Sequence, residues 1–114
     1  MPSITLDGIQ VAYQTQGDGP PLVFLHSIFT DSRIWQHQID FFAARYSVIA
    51  WDAPGCGDSD DPPADWEMAD FTRSLVSFFD GLALRNAHIA GAAWGSTLGL
   101  ELCRQRPDLV RSMT

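Results

Sequence analysis

The residues whose types and spacing most suggest chemistry lie within residues 88–99, where an apolar segment turns through small residues into a helical pattern. This setting is typical of the G-x-S-x-G turn, a sharp strand-to-helix connection that presents one nucleophilic side chain to a substrate. The small residues that such a turn needs are present at Gly91, Ala92 and Gly95. The central position, where a serine is expected, is Ala93. The sequence therefore predicts a catalytic turn that lacks its nucleophilic atom.

Two further loops follow apolar segments and carry unusual residues. The sequence His-Ser-Ile-Phe at residues 26–29 comes directly after the apolar run at 22–25, and a glycine-rich loop at 52–59 follows the run at 46–51. Ligands bind at the carboxyl ends of the strands in open parallel sheets. We therefore expect these two loops and the turn at Ala93 to lie at one site.

The elements that must position these loops alternate along the chain. The apolar runs lack a period-two pattern, which is typical of strands buried on both faces of a sheet. We expect strands at residues 3–14 (a hairpin turning at Asp7-Gly8), 22–25, 46–51, 87–90 and 110–114, and helices at 34–42, 71–82 and 95–106. This order predicts an α/β fold with a mostly parallel sheet and helices on both of its faces.

Charge and composition exclude several classes of function. A net charge of −7 on 114 residues argues against a nucleic-acid-binding surface, which needs clustered cations. The acidic residues between 58 and 65 lack the spacing of metal ligands, so we expect a solvated loop, no metal and no cofactor. No charged-then-apolar leader and no apolar run of about 18 residues is present, so we expect a soluble, cytoplasmic protein without a membrane interaction.

The chain resembles the N-terminal half of an α/β-hydrolase-fold enzyme over essentially all 114 residues. The resemblance is carried by the three loops, by their order along the chain and by their spacing. Leu25-His26-Ser27-Ile28 is similar to the family's His-Gly loop, residues 52–59 match its D-x-x-G-x-G-x-S loop, and residues 91–95 match its nucleophile turn except at the nucleophile. The resemblance implies that residues 1–114 are the N-terminal half of one domain. The lid and the C-terminal catalytic half would then be supplied by the same or a second chain.

The resemblance also implies roles for individual residues. Ala93 occupies the nucleophile position, and the backbone N–H groups of Trp94 and Ile28 form the oxyanion hole. Ser27, Phe29 and Trp94 contact a small-molecule substrate, whose ester, lactone or related carbonyl bond is cleaved. Ser27 replaces the family's usual glycine, which slightly favours a lactone. The triad acid and histidine are expected beyond residue 114.

Three interpretations of Ala93 follow. The first is a serine hydrolase whose nucleophile was replaced by alanine, by design, so that it binds without turnover. The second is a natural, non-catalytic member that binds a small apolar ligand or a partner, and the third is a dehalogenase that has lost an aspartate at the turn. Because the family's triad histidine lies later in the chain, we expect His26 to be structural. We expect Asp52 to order its own glycine-rich loop by accepting backbone N–H bonds.

Overall fold

The computed structural model describes residues 1–114, which form six strands and three α-helices with two short 3₁₀ turns. The strands are β1 (Ser3–Leu6), β2 (Ile9–Gln16), β3 (Pro21–Leu25), β4 (Ser47–Trp51), β5 (Ala87–Gly91) and β6 (Val110–Met113). The helices are α1 (Gln36–Phe42), α2 (Met68–Gly81) and α3 (Trp94–Gln105).

The strands form one mixed sheet in the order β1-β2-β4-β3-β5-β6. The neighbours of β3 on both sides, β4 and β5, run parallel to it, and β6 runs parallel to β5. The hairpin of β1 and β2 is antiparallel and joins the sheet through β4. The fold is thus the predicted α/β architecture, a partial α/β sheet whose parallel part brings the carboxyl ends of β3, β4 and β5 to one edge.

The core lies on both faces of this sheet, which explains the continuous apolar runs in the sequence. On one face, Val23, Ile49 and Ile89 pack against apolar residues of α2 and α3. On the other face, Phe24 and its neighbours on β3 and β4 pack against Ile39 of α1. Strands covered on both faces need apolar side chains at every position, so alternation disappears. No helix combines the length and the apolar character that crossing a membrane requires.

Two helices begin at residues other than those that the apolar periodicity predicts. The segment predicted as a helix from residue 34 starts as a 3₁₀ turn, Ser32–Trp35, and becomes α1 at Gln36. Asp31 caps this turn by accepting the N–H of Arg33 at 2.9 Å. Helix α2 starts three residues before the predicted position because Asp70 accepts the backbone N–H of Glu67 at 2.8 Å, which fixes the first turn.

Candidate active site

The turn at Ala93 joins β5 to α3 and has a strained backbone. Ala93 precedes the first helical residue with φ 51° and ψ −110°, a conformation that residues with a Cβ atom rarely adopt. A Cβ atom at Gly91 would lie 2.6 Å from the backbone nitrogen of Ser96, and one at Gly95 would meet the carbonyl oxygen of Leu25. The glycines therefore allow the turn to pack directly against its own helix and the end of β3.

The backbone N–H groups near this turn that have no acceptor within the chain include those of Trp94 and Ile28. Trp94 is the first residue of α3, so no carbonyl group within the helix accepts its N–H. No other group of the chain accepts it either. Ile28 follows β3 in an irregular loop, and its N–H is likewise unpaired. Unpaired N–H groups, one of them at the positive end of a helix dipole, can stabilise a developing negative charge on oxygen.

His26 connects the loop after β3 to the loop after β4. Its side chain is 1% exposed, and its Nε2 accepts the N–H of Ala53 at 3.0 Å. Since Nε2 is an acceptor, the proton is on Nδ1, which donates to the carbonyl oxygen of Ser27 at 2.8 Å. Both ring nitrogens are occupied by backbone groups, which matches the predicted structural role.

Asp52 orders its own loop, as predicted, and also holds the loop after β3. One carboxylate oxygen accepts the N–H of Asp58 at 3.0 Å, within the glycine-rich loop. The other accepts the N–H of Ser32 at 2.8 Å, across the site. The side chain of Asp52 is buried, so these bonds replace the water that the carboxylate loses on folding. Nearby, the Arg33 guanidinium holds the pKa of Asp31 below its usual value through hydrogen bonding.

A cavity of about 500 Å³ lies among these loops and the first turn of α2. The loop after β3 contributes Ile28 and Phe29, and α3 contributes Trp94. The remaining lining comes from the glycine-rich loop and from the residues around the start of α2. The cavity is of the size that small-molecule sites have in proteins.

The structure brings some of the predicted site residues together and leaves others apart. Ile28, Phe29 and Trp94 all line the cavity. Ser27 does not line it, and its hydroxyl lies 3.0 Å from that of Thr30, so that it braces the loop from within. Ala93 is exposed and does not line the cavity either, although its neighbour Trp94 does.

Sequence reasoning missed the wall of the cavity that the start of α2 provides. Trp66, Met68 and Phe71 line it, whereas the sequence predicts position 71 only as the first residue of a helix. The ring of Phe71 meets Trp66 and Trp94 edge-on, with both pairs of ring centroids 5.2 Å apart. A signal was available, because α2 follows the glycine-rich loop at the carboxyl end of β4, where ligands bind in such sheets.

Comparison with known proteins identifies the family. Residues 20–114 match the sequence model of the alpha/beta hydrolase fold. The chain is 36% identical over 101 residues to an (E)-2-((N-methylformamido)methylene)succinate hydrolase of Acinetobacter baylyi, which covers 89% of this chain and 38% of that protein. The chain therefore belongs to the α/β-hydrolase-fold family, whose named relatives are hydrolases.

Solved structures agree with this assignment. An ancestral haloalkane dehalogenase is 32% identical, with a TM-score of 0.94 over 99% of this chain and 40% of that one. Est816, described as an N-acyl homoserine lactone degrading enzyme, is 30% identical, with a TM-score of 0.92 over 98% of this chain and 43% of its own. The chain spans about two-fifths of the length of these relatives.

Proposed function

We propose that the chain forms the oxyanion side of a serine-type hydrolase that cleaves an ester, lactone or related carbonyl-activated bond. In this proposal Ala93 occupies the position of the nucleophile. A methyl group cannot attack a carbonyl carbon, so the Ala93 protein binds its substrate without turning it over. The acid and the histidine of the triad come from polypeptide outside these 114 residues, in the same or a second chain.

The observation that carries this proposal is the combination of the strained turn at Ala93 with the unpaired N–H groups of Trp94 and Ile28. When a nucleophile adds to a carbonyl group, negative charge develops on the carbonyl oxygen. Fixed N–H dipoles stabilise that charge without reorganising during the reaction, and losing one donor typically costs about 10²–10³ in rate. These groups favour acyl chemistry over a purely structural turn.

Two alternatives rest on specific observations. A natural, non-catalytic binding protein would also carry alanine at this position, and Ser96 does not substitute for the nucleophile because it lies inside α3. A dehalogenase that has lost an aspartate is favoured by the structural likeness to the haloalkane dehalogenase. The codon at position 93 in the native gene separates the first alternative from an engineered alanine.

The experiment restores a nucleophile in the protein that contains the complete domain. Ala93→Ser is assayed against a panel of activated esters and lactones, and Ala93→Asp against haloalkanes, with the Ala93 protein as the control. The proposal expects ester or lactone hydrolysis by Ala93→Ser at several orders of magnitude above the control. Halide release by Ala93→Asp alone supports the dehalogenase, and two folded, inactive variants support the binding protein.

A further inference from the structure

The peptide unit between Ser27 and Ile28 supplies the N–H that we assign to the loop side of the oxyanion hole, and three donors hold its carbonyl oxygen. They are Nδ1 of His26 at 2.8 Å, the hydroxyl of Thr30 at 2.6 Å and the backbone N–H of Thr30 at 3.3 Å. The chain has no cis peptide bond, and in a planar trans peptide the C=O and N–H bonds point in opposite directions. Holding the oxygen of Ser27 therefore also fixes the direction of the N–H of Ile28.

The turn that contains this peptide unit is not stabilised by buried side chains at its centre. The bond from the N–H of Thr30 to the carbonyl of Ser27 closes a turn in which Phe29 has φ 64°. This left-handed region favours glycine, so Phe29 adopts it at an energetic cost. The side chain of Phe29 is 94% exposed, and Ile28 is exposed as well. Hydrogen bonds within the turn, rather than packing of its central side chains, therefore hold this conformation.

The hydroxyl groups of Ser27 and Thr30 form a continuous chain of hydrogen bonds within the turn. Because the hydroxyl of Thr30 donates its proton to the carbonyl oxygen of Ser27, the 3.0 Å contact between the two hydroxyls has Ser27 as its donor. The side chain of Ser27 thus donates to Thr30, which donates back to the main chain of the same serine. Hydrogen bonds linked in this way polarise and strengthen one another. A glycine at position 27, the family's usual residue, could not form this pair.

We propose that Thr30 is a positioning residue for the hydrolase reaction, because its hydroxyl aims the N–H of Ile28 at the oxyanion through the carbonyl oxygen of Ser27. The hydroxyl proton is committed to that carbonyl, so Thr30 acts through the peptide unit and not by contact with the reacting atoms. This inference rests on the proposed function, since it needs an oxyanion for the N–H to meet. A misdirected N–H weakens binding of the transition state and leaves binding of the ground state unchanged.

Kinetics of the complete-domain Ala93→Ser protein with p-nitrophenyl acetate test the proposal. Thr30→Val keeps the shape of the side chain and removes its hydroxyl. It should lower kcat/KM about tenfold, less than the roughly 10²–10³ that losing a donor outright typically costs. In the Ala93 protein, the same substitution should change the dissociation constant of this ester by less than about twofold, because the donor acts on the transition state. Thr30→Ser, which keeps the hydroxyl, should retain most of the rate.

Thr72→Val is the matched control. Thr72 is buried, and its hydroxyl donates to the carbonyl oxygen of Met68 within α2 at 3.0 Å. The control therefore removes the same kind of bond outside the loop after β3, and it should leave kcat/KM unchanged. An equal loss of rate in Thr30→Val and Thr72→Val would mean general loosening of the protein and would overturn the proposal.

The residual dipolar coupling of the Ile28 amide measures the direction of its N–H without any turnover. In the complete-domain Ala93 protein, Thr30→Val should change this coupling, whereas Thr30→Ser and Thr72→Val should preserve it. Near-UV circular dichroism verifies that each variant is folded. If Thr30→Val does not fold, Ser27→Ala takes its place in both experiments, since it removes the other hydroxyl of the same hydrogen-bonded chain.

An Ile28 coupling that Thr30→Val leaves unchanged overturns the inference, whatever the activity. An active Ala93→Ser protein whose kcat/KM does not respond to Thr30→Val overturns it as well. If Ala93→Ser is folded but inactive while the Ile28 coupling responds to Thr30→Val, the proposed function fails and the control of the N–H direction by Thr30 is supported.

Discussion

At the scale of single residues, the reactivity of the Cys56 thiol measures how far the cavity is closed to solvent. Burial, with the neighbouring carboxylates of Asp52 and Asp31, raises the pKa of its thiol. A raised pKa means less thiolate at neutral pH, and the thiolate is the reactive form. We expect Cys56 to react with iodoacetamide more slowly than a cysteine in an unfolded peptide at pH 7.5. The rate should continue to rise with pH above the range where the peptide reaches its plateau.

Mass spectrometry with peptide mapping measures the alkylation rate at Cys56 in the protein that contains the complete domain, with the urea-unfolded protein as the reference. If Cys56 in the folded protein reacts as fast as in urea at pH 7.5, the thiol is neither buried nor opposed by the carboxylates.

The single residues also show where sequence reasoning stops. The strain at Ala93 was predictable because small residues at 91, 92 and 95 are required by such a turn. The bond from Asp52 to the N–H of Ser32 was not, because it joins residues 20 positions apart. The sequence also predicts Asp60 in a solvated loop, but its carboxylate accepts the backbone N–H of Gln10 at 3.0 Å. This bond was unpredictable for the same reason, because it joins residues that are far apart in the sequence. Polar pairs between residues that are distant in the sequence produce no local sequence pattern from which they could be predicted.

At the scale of elements, α3 depends on its close approach to β3. A Cβ atom at Gly95 would meet the carbonyl oxygens of Leu25 and His26, which are backbone atoms that cannot move aside. A Cβ atom at Gly99, one turn later, would meet side-chain atoms instead: the flexible end of Met113 at 2.6 Å and the Cδ1 of Leu25 at 3.4 Å. Gly95→Ala should therefore destabilise the protein by about 1–3 kcal/mol, and Gly99→Ala by less, because alanine favours a helix interior.

Urea unfolding of the two variants in the complete domain compares them directly. An unfolding midpoint for Gly95→Ala at or above that of Gly99→Ala would mean that the turn is not held against β3. Activity in the Ala93→Ser background should follow the same order, since the N–H of Trp94 moves with the start of α3.

Elements were predictable where apolar runs mark them and less so at their ends. The sequence places β3, β4 and β5 within a residue or two because apolar runs of four to six residues are bounded by turn residues. The start of α2 was missed because its first turn depends on the Asp70–Glu67 cap and carries no apolar periodicity. Residues at and just before that turn, Trp66, Met68 and Phe71, line the cavity, and the site prediction did not include them.

At the scale of the whole molecule, the sheet is incompletely covered. A cavity of about 280 Å³ lies over β3 and β5 beside α1, lined by Leu22, Phe24, Tyr46, His88 and Ala90. Strand β6 forms one edge of the sheet, with four residues and one neighbour. An open edge and a partly bare apolar face reduce the burial that must offset chain entropy, and they favour aggregation.

We therefore expect residues 1–114 expressed alone to be insoluble or to lack fixed tertiary packing. Near-UV circular dichroism and thermal unfolding of this fragment measure that packing, with a longer protein that completes the domain as the reference. A monomeric fragment with one cooperative transition would mean that this half is a self-sufficient domain.

Our central claim is that position 93 is the position of a nucleophile. The backbone N–H groups of Trp94 and Ile28 would then stabilise the negative charge that its attack produces. The most direct measurement is reaction of the complete Ala93→Ser protein with an activated fluorophosphonate, followed by intact mass and peptide mapping, beside the Ala93 protein. Phosphonates react with an activated serine and leave a tetrahedral adduct whose oxygen needs the same N–H donors. We predict one adduct, on the introduced serine, and none on the Ala93 protein. An unlabelled but folded Ala93→Ser protein, or an adduct at Ser96 in both proteins, would contradict the assignment.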